Sequence, residues 1–174
     1  MAGFDTCSLE LESIACARSL FPCKREKDET ILICDIGAKR TSFIISEGNV
    51  PFFTSSVPFS SEVLTDIISQ KMNIGREEAE KIKINQGIEQ TIENTPIFNI
   101  VRPSLENLAV EIEKSIDFYR SISKNKAEIN NIILCGGGAN MKGIVSYLTT
   151  RLNKGVSIGD PWVNLNFGKA LPII

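Results

Sequence analysis

Histidine is missing altogether from this chain of 174 residues. That one absence removes Ser-His-Asp and Cys-His catalysis, the commonest general base and the imidazole half of a mixed zinc site. Cysteine is present five times, at positions 7, 16, 23, 34 and 135, with no Cys-x-x-Cys pair. An odd count of scattered cysteines reads as reduced thiols in a cytosolic protein. The opening MAGFDTCSLELE lacks the basic and apolar stretches of a secretory signal. No apolar run approaches the roughly 18 residues of a membrane span. Positive charge is not in excess either: 19 Lys and Arg stand against 21 Asp and Glu, for a net charge of −2. That balance, with a pI near 5.3, excludes a nucleic-acid platform or a basic membrane-surface patch.

What is there is an ordinary globular composition, 43% hydrophobic and 23% charged, enough for one sizeable core or two small lobes. Residues 11–21, LESIACARSLF, carry a helical apolar stripe. Three strands are expected next: ILICD (31–35), TSFIIS (41–46) and VPFFTSSV (50–57), the last two joined at Glu47-Gly48-Asn49. The first is a continuous apolar run, the pattern of a strand covered on both faces. Val63, Leu64, Ile67, Ile68 and Met72 mark a helix, and REEAEKIKI (76–84) a short charged one. Residues 85–102 read as an irregular excursion, after which Pro103 opens a long helix through Tyr119. NIILC (131–135) is a further buried strand, running through GGGAN into a helix, and GVSIG (155–159) is the last. A three-stranded antiparallel meander followed by crossovers into parallel strands predicts an α/β fold: a mixed sheet with helices on both faces.

Ligands in such sheets bind beyond the carboxyl ends of strands, and two unusual loops leave those ends. In DIGAKRT, Gly37 permits an outward turn of N–H groups, Thr41 adds a hydroxyl, and Lys39 and Arg40 add positive field. Asp35 there suits a water-mediated Mg²⁺ ion; a hairpin whose Asp caps its own turn fits equally. In GGGAN, Gly136, Gly137 and Gly138 let a ligand approach the backbone closely at a helix N-terminus, where one glycine and Asn140 as N-cap would serve a plain connection. Glu80 and Lys83, three apart on one helix face, suit a ribose diol or form an ordinary surface ion pair. Cys34 and Cys135 read as small buried hydrophobes, and Trp162 as a packing anchor.

Taken in order, DIGAKRTSF, EEAEKIKINQG, a helix ending SIDFYRS, and IILCGGGANMKGIVSYLTTRL followed by GDPW resemble the PilM family of type IV pilus assembly proteins, relatives of FtsA. The resemblance covers nearly the whole chain. It implies an actin-like ATPase lobe of the RNase H-like class, with ATP and Mg²⁺ as cofactors. Asp35, Gly37 and Thr41 then match the second phosphate loop, Glu80 and Lys83 the ribose and adenine contacts, and Gly136, Gly137 and Gly138 the adenosine loop. It further implies that 1–28 end a first lobe and its interdomain helix, that 29–58 and 104–174 form the core nucleotide-binding subdomain, and that 59–103 are a smaller insertion. The first phosphate loop and the groove for a PilN-type partner belong to that first lobe, so this chain alone is not expected to hydrolyse ATP. PFSSEVLT (58–65) departs from the family's Gly-Gly turn, with Ser60 and Ser61 in its place. The implied setting is the cytoplasmic face of the inner membrane, in a complex that admits oligomers.

Three other readings compete. A small-molecule kinase of the same superfamily needs a carboxylate base at its acceptor, and none stands out. A nuclease on the related sheet needs carboxylates at several strand ends, where this chain has Asp35 and then Cys135. A scaffold lobe that binds only proteins leaves the glycines as inherited shape.

Overall fold

The computed structural model describes residues 9–21, 29–89, 96–124 and 127–165; Cys7 and Cys23 lie outside them. The elements run α1 (Glu12–Leu20), β1 (Thr30–Ile36), β2 (Thr41–Glu47), β3 (Val50–Val57), α2 (Ser61–Met72), α3 (Arg76–Gln86), α4 (Pro96–Ile122), β4 (Asn131–Cys135), α5 (Ile144–Leu152) and β5 (Gly155–Ile158). One five-stranded sheet has the order β3-β2-β1-β4-β5. The meander β1–β2–β3 is antiparallel, whereas β4 pairs with β1, and β5 with β4, in parallel. The expected mixed sheet is therefore the observed one. β1 lies at its centre because its apolar run can be covered on both sides.

Alternation along β1 sends its side chains to two unequal faces. Leu32, Cys34 and Ile36, with Phe43 and Ile45 of β2, enter a large core closed by α2, α4 and α5. Ile31, Ile33 and Ile44 form a smaller cluster with Ala17, Leu20 and Phe21 around α1, with Cys16, Ile133 and Cys135 packed against it. The carbonyls ending α1 are satisfied from the chain's far end: Asn164 Nδ2 donates to Phe21 O at 2.6 Å and to Arg18 O at 3.1 Å.

Two expected boundaries are corrected. The long helix opens at Pro96, seven residues earlier than Pro103, which sits in its interior. A proline inside a helix costs about 3 kcal/mol. However, the stripe Ile97, Val101, Leu105, Leu108, Ile112, Ile116 continues unbroken through it. Ile97 and Val101 are fully buried, and two such side chains contribute about 1.5–3 kcal/mol each. Burial outweighs the proline. The second correction concerns GGGAN. Gly137–Asn140 form a single 3₁₀ turn, and α5 begins only at Ile144, behind Gly143 at φ +86°. Asn140 is thus not the N-cap of α5, and the glycines do not stand at that helix's N-terminus.

Candidate functional site: a cleft between the glycine turn and α2–α3

The glycine turn lies over the end of β1. Gly136 has φ +79°, a conformation that favours glycine, and a Cβ on Gly138 would fall 2.3 Å from Ile36 Cγ2. Close packing on Ile36 therefore requires glycine at 138. Gly137 is different: its Cβ would meet nothing within 4 Å, so its lack of a side chain leaves open space rather than permitting a contact.

That space is a cavity of about 360 Å³ lined by Gly137, Gly138 and Met141 on one side and by Ser61, Glu80 and Lys83 on the other. A neighbouring lobe of about 580 Å³ extends past Thr65 and Arg76. Ala38 borders both, because the 37–40 loop is tied to the start of α2. Ser61 N–H donates to Gly37 O at 3.1 Å and Glu62 N–H to Ala38 O at 3.0 Å. Gly37 N–H itself donates to Arg40 O at 3.0 Å. It is therefore turned into the loop, not outward toward an anion.

Lys83 is not half of an ordinary surface pair. Its ammonium is buried at the α2–α3 junction and lies 3.0 Å from Ser61 O, 2.7 Å from Ser61 Oγ, 2.8 Å from Thr65 Oγ1 and 2.8 Å from Glu80 Oε2. Those partners satisfy a buried ammonium that would otherwise be costly. Thr65 Oγ1 also hydrogen-bonds Glu80 Oε2. Partial burial disfavours charge on Glu80, but the bonds from Lys83 and Thr65 prevail and hold its carboxyl below the usual range. The carboxylate stays ionised and, at 42% exposure, reachable. Ser60 caps α2, its Oγ accepting from Val63 N–H at 3.3 Å. Both serines of the PFSSEVLT departure thus have structural work.

The structure therefore brings Glu80, Lys83, Gly137 and Gly138 around one cavity. Gly136 and Gly37 do not line it; they precede Gly137 and Ala38, which do. Thr41 is wholly buried, its hydroxyl without a hydrogen-bond partner. Asp35 points elsewhere. Alternation puts it on the opposite side of the sheet from Ile36, in a separate depression of about 430 Å³ beside Glu12, Cys16 and Arg40. Burial raises its pKa, as does the charge of Glu12, while Arg40 works against both. Register explains the two cysteines as well. Cys34 pairs with Leu134, and Asp35 with Cys135, so Cys34 and Cys135 face opposite ways. Cys34 is the expected buried hydrophobe, its thiol pKa pushed up by burial; Cys135 is only partly buried. Ser61, Thr65 and Met141 were missed as lining residues. Only Ser61 carried a signal, as the departure from the family's turn.

The family model for type IV pilus assembly protein PilM matches residues 4–172. The chain belongs to the PilM family. A solved PilM-PilN type IV pilus biogenesis complex contains a chain with TM-score 0.74 and 27% identity, over 92% of this chain and 45% of that one. The cell division protein FtsA of Borreliella burgdorferi is 28% identical over 92% of this chain and 43% of its own length. MreB5 of Spiroplasma citri, solved with AMPPNP, shares the fold at TM-score 0.66 and 17% identity, over 84% of this chain and 52% of that one. This PilM-family chain thus has an actin-like ATPase fold and spans a little under half the length of the PilM and FtsA relatives it matches. Among its described residues no helix is long and apolar enough to cross a membrane.

Proposed function

We propose that this PilM-family chain is the nucleotide-binding lobe of an actin-like scaffold for pilus assembly. The observation that carries the reading is the 360 Å³ cavity between the glycine turn and the Glu80–Lys83 pair. It falls within the usual range of small-molecule sites, about 300–1,000 Å³. Its apolar walls include Leu64, Ile84 and Met141 and suit a base. The exposed Glu80 carboxylate accepts from a ribose diol, and Lys83 positions Glu80. The open position at Gly137 lets the planar part of ATP approach the backbone. Magnesium travels with the nucleotide on its phosphates. Asp35, across the sheet beside Cys16 and Cys135, offers a carboxylate that reaches such an ion through water. A PilN-type partner, at the cytoplasmic face of the inner membrane, engages the portion of the full-length relatives that this chain does not span.

The test is a titration of the 174-residue chain with Mg-ATP, followed by amide NMR shifts. A half-cradle binds weakly, at roughly millimolar affinity. Saturable shifts at 80–83 and 136–140, absent in Gly137→Val and weakened about tenfold in Glu80→Ala, support the reading. A flat titration at several-fold higher ATP, with folded protein, overturns it in favour of a lobe that works through protein contacts alone.

A further inference from the structure

Two thiols that take no part in the nucleotide reading meet where α1 lies on the sheet. Cys16 Sγ and Cys135 Sγ are 3.7 Å apart, across 119 residues of chain. Cys135 ends β4, and α1 delivers Cys16 one residue before the buried Ala17. Both side chains pack against the small cluster of Ile31, Ile33 and Ile44, and both are only partly buried. Cys34, the third described cysteine, is wholly buried in the large core on the other face and does not compete for either. The pair is also unequal. Cys16 lines the 430 Å³ depression and Cys135 does not, so a reagent from solution meets Cys16 first. The hydrogen bond from the Cys135 thiol holds Cys16 below its ordinary pKa, against burial and the charges of Asp35 and Glu12. The same bond, with burial, pushes the Cys135 thiol up.

We propose that Cys16 and Cys135 are a reversible dithiol–disulfide pair, closed by low-molecular-weight disulfides and stapling α1 to the end of β4. Redox-sensing cysteines are accessible, low in pKa and placed beside a resolving thiol, and these two positions divide those properties between them. The Cys16 thiolate attacks one sulfur of the small disulfide; a mixed disulfide forms, and one small thiolate leaves and takes up a proton. Cys135 then gives up its proton and attacks Cys16 Sγ, the mixed bond breaks, and the second small thiol leaves. Two electrons have passed from the protein to the small disulfide, and each of its halves departs as a thiol. An S–S bond of about 2.05 Å needs the sulfurs to close by about 1.6 Å from their 3.7 Å separation, which a side-chain rotation or a small slide of one helix supplies. The bond uses neither the Asp35 carboxylate nor the glycine turn, so both remain to the nucleotide reading. The pair goes beyond that reading and does not depend on it.

The experiment equilibrates the unaltered 174-residue chain with oxidised glutathione, without nucleotide, and quenches it in acid for mass spectrometry. The expected product has lost two hydrogens, yields a Cys16–Cys135 peptide on digestion and reverts under a non-thiol reductant, while Cys34 stays reduced. Closing a loop of this length should raise the thermal midpoint by about 5–10 °C. Two variants, each in a chain carrying Cys7→Ser and Cys23→Ser, test the order of attack. Cys135→Ser should stop at one glutathionyl adduct on Cys16, and Cys16→Ser should react at Cys135 about tenfold more slowly or less readily still. A chain that stays a dithiol under excess oxidised glutathione, or that joins Cys16 or Cys135 to a different cysteine, overturns the proposal. So does equal adduct formation in the two variants, since the exposure and acidity of Cys16 then count for nothing. A closed form with an unchanged midpoint overturns the staple.

Discussion

The two faces of the sheet share the same strands and are built on different terms. On one, side chains from four helices and the glycine turn close a continuous core around Phe43, Leu108, Ile112 and Tyr119. On the other, a smaller cluster around α1 covers Ile31, Ile33 and Ile44. Toward the strand ends that second face turns polar, with Asp35, Ser42 and Ser56 in register across β1, β2 and β3. The deep face supplies a rigid floor for the nucleotide cavity. The thin face leaves ionisable and thiol groups half-exposed beside α1. Fold stability and candidate chemistry are thus divided between faces, and one residue step along β1, from Asp35 to Ile36, crosses from one to the other.

The largest expected effect breaks the comparison at its core. Leu108→Ala on the deep face should cost about 2–5 kcal/mol, whereas Leu20→Ala on the thin face should cost at most about 2, because α1 can resettle. Urea unfolding of both measures the gap, and equal losses would show that the thin face is as integral as the deep one. Next comes Lys83→Met, which strands Ser61 and Thr65 oxygens at the α2–α3 junction. The expected loss is about 1–3 kcal/mol, read in the same assay, and hydrogen exchange should localise it to α2 and α3.

A pair of glycine substitutions separates packing from binding. Gly138→Ala drives a methyl into Ile36 and should cost about 1–3 kcal/mol by overpacking. Gly137→Val meets open space, so it should leave thermal stability within about 0.5 kcal/mol while abolishing ATP shifts. The smallest effect is a pH dependence. The folded-state pKa of Glu80 lies below its ordinary value of 4.5. Its contribution is therefore present above pH 4.5 and lost as pH falls through the lowered value. Glu80→Gln should flatten that part of the acid limb by less than about 1 kcal/mol, since the carboxylate is largely solvated; an acid limb identical to the parent's would remove Glu80 from the Lys83 network.

Much of this was legible along the chain. The run Ile31–Cys34 announced a central strand, Glu47-Gly48-Asn49 a hairpin, and the Leu105–Ile116 stripe a long helix, since each is a local pattern of burial or turn chemistry. The start of α4 was not, because Pro103 is a strong local signal overruled by burial of Ile97 and Val101 in the large core. The glycines were legible as a close-approach loop. Their separation from α5 was not, since nothing in GGGAN distinguishes a 3₁₀ turn from a helix start. The Glu80–Lys83 pair looked superficial because Ser61 and Thr65, its other partners, lie on another helix.

Composition and pattern alone determined the strand set, the mixed sheet and the membership of this chain in its family, because hydrophobic periodicity and turn residues act over a few neighbours at a time. Only the tertiary structure decided that Asp35 belongs with Cys16 and Cys135 rather than with Glu80. That depends on the pairing register of β1 with β4 and on where α1 settles. Both are set by packing between segments a hundred or more residues apart, which no local pattern records.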